Sequence, residues 1–249
     1  MKTRFVLLVL LMLVFTASIQ AQENTSHRVT FDGFSFNLTL RPNVNVVPYV
    51  DDGMTFPPEA DHTQFVFYEA FPVPESIFDI GSGGMRLYNL ADLNELQTAL
   101  VEQLQSLLAD RPDLSAYMTG EGMSLPFLPM PVHGQTFRAR AQYVETPEIA
   151  GISYLTAFNA AVEPFMNTSF LYTFQGLSKN SDQYVSVIFP LETTLFPAEP
   201  EPIDLDVFVA QLPDYMAAAV TNMTEAGADE FTPSLTRLND LITSFAFEA

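Results

Sequence analysis

The sequence predicts an α+β fold, in which an antiparallel sheet is covered by an amphipathic helix over about residues 90–109 and by C-terminal helices. Two observations favour this class. Several stretches alternate apolar and polar residues, as half-buried strands do, and one long segment repeats leucine at helical spacing. With 249 residues, 48% of them hydrophobic, the chain has ample material for the core of a single domain.

The predicted strands form an early and a central group. The early group is residues 29–40, Val44 to Val50 (weakened by Pro48), Gln64 to Phe71 and Met85 to Tyr88. The central group contains two hairpin-like pairs, which are Phe137 to Val144 with Gly151 to Phe158, and Phe170 to Gln175 with Tyr184 to Phe189. Together they predict one contiguous antiparallel sheet.

Three segments have helical patterns. In the first, leucines recur in steps of three and four from Leu90 to Leu108, with Asn89 as the predicted N-cap. We expect this helix to lie on the sheet rather than to form a coiled coil. The second runs from Asp204 to Thr221, where Pro213 predicts a kink or a break. The third begins with Thr232 as its cap.

The start of the chain has the layout of a secretory signal peptide. Lys2 and Arg4 precede eleven unbroken apolar residues, and a less apolar stretch continues to Ala21. Eleven residues are too few to span a bilayer as a helix, which takes about 20. We therefore predict a signal over residues 1–21, a mature domain over 22–249 without an integral membrane segment, and a secreted or periplasmic location. An uncleaved signal-anchor is the alternative.

The composition excludes several classes of function. The formal net charge is −20, and it becomes −22 when Lys2 and Arg4 leave with the signal. Nucleic acid and anionic membranes require clustered Lys and Arg, so neither is an expected partner. The absence of Cys excludes disulfides and thiol catalysis. The many acids leave a Ca²⁺ site open as an alternative, although no EF-hand loop is present.

Catalytic patterns were tested against the residues that each requires. Ser82 lacks the G-x-S-x-G spacing of α/β hydrolases, and Lys179 has Gly176 where an S-x-x-K motif requires serine. The three histidines are scattered singly, so no metal site or cofactor is predicted. A glycosidase requires only two facing carboxylates, which 30 acids leave open. The balance favours a protein that is not an enzyme.

Two pairs of residues are candidate ligand contacts. Arg138 and Arg140 are two residues apart and so share one face of the predicted strand. There they would hold an anionic ligand or form internal salt bridges. Phe127 and Met130 lie in a loop over residues 112–135 that is rich in Pro, Gly and Met. This loop would either roof an apolar ligand cavity or pack as ordinary core.

Four segments carry a resemblance to a known family. They are Leu125 to Pro129, Gly151 to Thr156, Leu171 to Leu177 and Tyr184 to Pro190. In these segments the chain resembles a family of uncharacterised exported bacterial proteins, which implies an exported α+β domain and no particular activity. The early Phe-rich strand and the closing helix are similar, at the level of architecture, to PsbP/Mog1-like domains.

The functional expectation is an exported, acidic domain that binds a protein or small-molecule partner without catalysis. A carrier for a small apolar ligand and a carboxylate-pair hydrolase are the alternatives.

Overall fold

A computed structural model describes residues 26–39, 43–50, 57–68, 83–118, 124–199 and 202–248. The predicted signal segment 1–21, Ser82 and the end of the strand predicted to reach Phe71 lie outside the described residues. Three α-helices are present in the described residues, α1 (Glu95–Asp110), α2 (Leu205–Glu225) and α3 (Leu235–Thr243). The strands are β1 (His27–Phe31), β2 (Phe34–Leu38), β3 (Asn43–Tyr49), β4 (His62–Tyr68), β5 (Gly84–Asn89), β6 (Gln135–Glu145), β7 (Ile149–Phe158), β8 (Phe170–Ser178), β9 (Gln183–Thr193), β10 (Phe231–Thr232) and β11 (Ala246–Phe247).

Most of the strands form one large antiparallel sheet. Its order is β3-β4-β5-β9-β8-β7-β6, and β10 pairs with β9 outside this path. A smaller sheet has the order β1-β2-β11. The predicted α+β class and antiparallel sheet are confirmed, and so are the two central hairpins, β6–β7 and β8–β9. Pro48 is tolerated because β3 ends the order of the described strands and pairs there with β4 alone.

The single strand predicted over residues 29–40 is wrong, because the chain turns back at Asp32 and Gly33. Both residues have positive φ, 46° and 76°, as a tight two-residue hairpin turn requires. The turn joins β1 to β2, and Phe31 pairs with Phe34.

The first helix begins later than predicted. Leu90–Asp92 forms a separate 3₁₀ turn, for which Asn89 accepts a hydrogen bond from the Ala91 N–H at 3.0 Å. The N-cap of α1 is Asn94, which exchanges reciprocal hydrogen bonds with Gln97 in a capping box. Leu90 and Leu93 therefore precede α1, and Leu96 within it is 54% exposed. The buried apolar face of the helix thus contains fewer leucines than the spacing predicts.

The two C-terminal helices also differ from their predicted limits. α2 continues through Pro213, so of the two predicted outcomes, a kink or a break into two helices, the break does not occur. Thr232 does not cap α3, because it pairs with Glu192 in the β10–β9 ladder, and α3 begins after Ser234.

Buried apolar residues form two clusters, one on each face of the large sheet. The first joins the sheet to β2, α2 and α3, and it includes Phe36, Phe65, Phe174, Met223 and Leu238. The second joins the sheet to α1 and to the loop before β6, and it includes Val101, Leu104, Phe127, Tyr154 and Tyr184. None of the described helices combines the length and the apolar composition that a bilayer crossing needs.

Candidate functional site

The loop that was expected to roof a ligand cavity is fastened to the sheet by hydrogen bonds. The Leu128 N–H donates to Gln175 Oε1 at 3.0 Å, and the Leu128 carbonyl accepts from the Ser186 hydroxyl. The Tyr154 hydroxyl donates to the Pro126 carbonyl at 2.7 Å. Phe127 is buried and packs edge-on against Phe158. This part of the loop is therefore core.

Gln175 is the centre of this buried polar layer. Its Oε1 accepts from the Tyr184 hydroxyl at 2.6 Å, and its Nε2 donates to Thr173 and Ser186. Burial raises the pKa of both Tyr154 and Tyr184, which remain neutral hydroxyl donors. Residues of the segments 125–129, 151–156, 171–177 and 184–190 meet here, and their hydrogen bonds hold the loop on the sheet.

The two arginines predicted to share a strand face lie on opposite sides of the sheet, so that prediction is wrong. Arg138 is 2% exposed, and its guanidinium donates to the carbonyls of Tyr117 and Gln135 at 2.5 and 2.9 Å. Tyr117 belongs to the cluster beneath α1. Both arginines donate to backbone carbonyls, whereas the alternative given by the sequence was internal salt bridges to carboxylates.

A β-bulge turns Arg140 away from Arg138. The register of β6 and β7 shifts between Ala139 and Gln142, and Arg140 has a positive φ of 53°. Its Nη1 lies 3.2, 3.0 and 2.6 Å from three carbonyl oxygens at the end of α2, those of Met223, Thr224 and Ala226. Arg140 therefore caps the negative end of the α2 dipole.

A buried charged group lies at β4 and β5 of the large sheet. Glu59 Oε1 is 2.8 Å from Arg86 Nε and accepts from the Tyr88 hydroxyl at 2.6 Å. The side chains of Glu59 and Arg86 are only 10% and 4% exposed. His62 Nδ1 donates to the Ala60 carbonyl at 2.9 Å, and its ring stacks on Tyr49. Near this group is a small cleft of about 260 Å³, whose lining includes Tyr49, His62, Asp61 and Asp92.

The protonation of His62 is expected to make stability depend on pH. Burial lowers the pKa of His62 below its ordinary 6.5, although Glu59 opposes the shift. The unfolded chain therefore binds a proton at a higher pH than the folded protein does. The free energy of unfolding falls as the pH drops through 6.5, by at most about 1.4 kcal/mol per pH unit from this group.

Urea unfolding at about pH 7.5 and about pH 5.5 checks this expectation. The difference between the two free energies should be smaller in His62→Gln than in the wild type. His133→Gln, a change at an exposed histidine, is the matched control and should retain the wild-type difference. An unchanged difference in His62→Gln would contradict the prediction.

A groove with a volume of about 890 Å³ runs along α2. One wall is α2 itself and the other is the segment 159–165, with the start of β6 at one end. Its apolar lining residues are Met118, Ala161, Val162, Phe165, Leu212, Pro213, Met216, Ala217 and Val220. Its polar lining is small and consists of Gln135, Thr136, Asn159 and Glu163.

The groove exists because α2 extends beyond the core that its C-terminal end contacts. Leu205, Val209, Leu212, Met216 and Val220 follow in steps of three and four and so share one helix face. Further along the helix, Ala219 and Met223 are buried in the first cluster. At the other end, Leu205 and Val209 are 55% and 49% exposed. The apolar face therefore passes from solvent, through the groove, into the core.

The predicted contact residues do not meet at this groove. Phe127, Met130, Arg138 and Arg140 are all outside its lining, although Met118 and Gly134 bring two parts of the 112–135 loop to its edge. Sequence reasoning missed the residues of α2 and of the segment 159–165. The available signal was the apolar face of α2, which is longer than core packing alone requires.

Among the described residues, no group of three or more His, Cys, Asp or Glu side chains is placed to hold a metal ion. No protein-family model, curated protein or solved structure matches the chain.

Proposed function

We propose that this protein is an exported, non-enzymatic binding domain whose ligand is a small apolar molecule held in the groove along α2. The groove itself is the observation that carries the proposal. Its volume of about 890 Å³ lies within the range of small-molecule sites, which are mostly apolar with a few polar groups.

The chemistry of the lining supports a ligand with a substantial apolar part. Phe165 lines the groove and is 2% exposed, with its ring stacked against that of Tyr215 at a centroid distance of 5.9 Å. The Tyr215 hydroxyl accepts a hydrogen bond from the Phe165 N–H at 2.7 Å. These contacts hold the two walls together. The cost of ordering the groove when a ligand binds is therefore small.

Titration with the neutral apolar dye Nile red tests the proposal. The wild type should give saturable fluorescence enhancement, and Ala217→Glu should weaken binding about tenfold because a carboxylate in the groove must be desolvated. Ala218→Glu is the matched control, since the neighbouring Ala218 is also exposed on α2 but lies outside the lining. Equal binding by both variants, or enhancement that never saturates, would contradict the proposal.

The export part of the proposal rests on the signal-like start of the chain and has a separate test. Intact mass of the protein from its own host should correspond to a chain that begins at Gln22. Native mass spectrometry of the same sample should show an apolar small molecule that co-purifies. A retained Met1 would contradict cleavage without affecting the binding proposal.

A further inference from the structure

The charged residues around the groove would act on the head group of a bound amphiphile. We propose, resting on the function proposed above, that the groove prefers amphiphiles with a cationic head group over those with a carboxylate, and that Glu163 at its edge contacts the head group.

The two long walls of the groove carry acids and no bases. Glu163 is exposed and is the one charged residue in the described lining. Asp206 and Asp214 lie on α2, and Asp204 is its N-cap. The sequence contains no Lys, Arg or His from Ala141 to Ser178 or from Asn180 to Thr236, which includes both walls entirely.

The bases nearest in sequence to the lining are His133 and Arg138, which flank its Gly134–Thr136 part. Arg138 lies on the sheet face opposite α2, and its guanidinium donates to the carbonyls of Tyr117 and Gln135. His133 is exposed next to Gly134, and Gln135 pairs with Phe158, directly before the segment 159–165. Neither belongs to the two long walls, and Arg140, whose guanidinium contacts the carbonyls at the end of α2, is also outside the lining.

This arrangement gives the head group a clear electrostatic preference. An ammonium beside Glu163 gains Coulomb attraction, which salt screens over a distance of about 8 Å at physiological ionic strength. A carboxylate head would meet the same charges as repulsion, in a protein whose formal net charge is already −20. The apolar chain would bind identically in both cases.

Displacement of Nile red by decyltrimethylammonium, decanol and decanoate provides the test, because the three share an apolar chain and differ in charge. We expect the ammonium to bind about tenfold more tightly than the carboxylate at low salt, with the alcohol between them. Raising the salt concentration should reduce this ratio. Glu163→Gln should weaken the ammonium about threefold and leave the alcohol unchanged.

Glu102→Gln is the matched control, since Glu102 is exposed on α1, across the sheet from the groove, and the change removes the same charge. Equal affinity for ammonium and carboxylate, or an identical effect of both variants, would overturn the inference while the apolar ligand site stands. If none of the three compounds displaces the dye, the proposed function itself fails.

Discussion

Replacing Glu59 by alanine is expected to lower the free energy of unfolding by about 3 kcal/mol. The change leaves Arg86, whose side chain is 4% exposed, without the carboxylate 2.8 Å from its Nε. The Tyr88 hydroxyl loses its acceptor in the same step. Because charge pairs that are removed from water are costly to break, this loss should exceed that of any surface carboxylate.

Equilibrium urea unfolding measures the effect as a shift of the midpoint at constant slope. Glu59→Gln retains a side-chain oxygen for Tyr88, so we expect it to lose about half as much, and it provides a measurement even if Glu59→Ala does not fold. Glu102→Ala, at an exposed position on α1, should change stability by less than about 0.5 kcal/mol. Equal losses from Glu59→Ala and Glu102→Ala would contradict the structural role of the pair.

Replacing Gly151 by alanine is expected to cost about 3 kcal/mol, the second large effect. Gly151 and Gly176 are register partners on β7 and β8, and the ring of Phe174 lies against both. A Cβ on Gly151 would lie 2.5 Å from the Gln175 carbonyl oxygen and 2.7 Å from Gly176 Cα. Both are backbone atoms inside the sheet, so the clash is relieved only by moving two strands.

Gly134→Ala is the matched control, because a Cβ at that position meets no atom within 4 Å. We expect it to be neutral or slightly stabilising, since alanine reduces the entropy of the unfolded chain. Thermal melting of the three proteins should place Gly151→Ala about 8 °C below the wild type. A melting temperature equal to that of Gly134→Ala would contradict the close packing of β7 and β8.

The central hairpins were predictable from the residues because their alternation is strong and the segment between β8 and β9 is short and polar. The β1–β2 hairpin was missed despite the Asp32-Gly33 pair, a favoured hairpin turn. The alternation continues through this turn, which conceals it. The start of α1 was misplaced because Asn89 and Asn94 are both chemically suited to cap, and only the path of the chain decides which one begins the α-helix.

The surroundings of the candidate contact residues depend on features that the sequence pattern does not show. Arg138 and Arg140 have the spacing of a shared strand face, and the bulge that separates them leaves no mark in the alternation. Phenylalanine such as Phe127 is common both in ligand sites and in protein cores. The hydrogen bonds of its neighbours to the sheet place Phe127 in the core. Residue type alone does not distinguish these environments.

The residues alone predict the α+β class, the central strand pairs and the acidic character of the chain, because alternation and charge are local properties that any fold of these residues retains. The point at which α2 leaves the core, and the segment that faces it there, depend on tertiary packing. A groove is a space between elements distant in the chain, and its shape depends on how they pack. Two long stretches of the chain without Lys, Arg or His contain both walls of this groove.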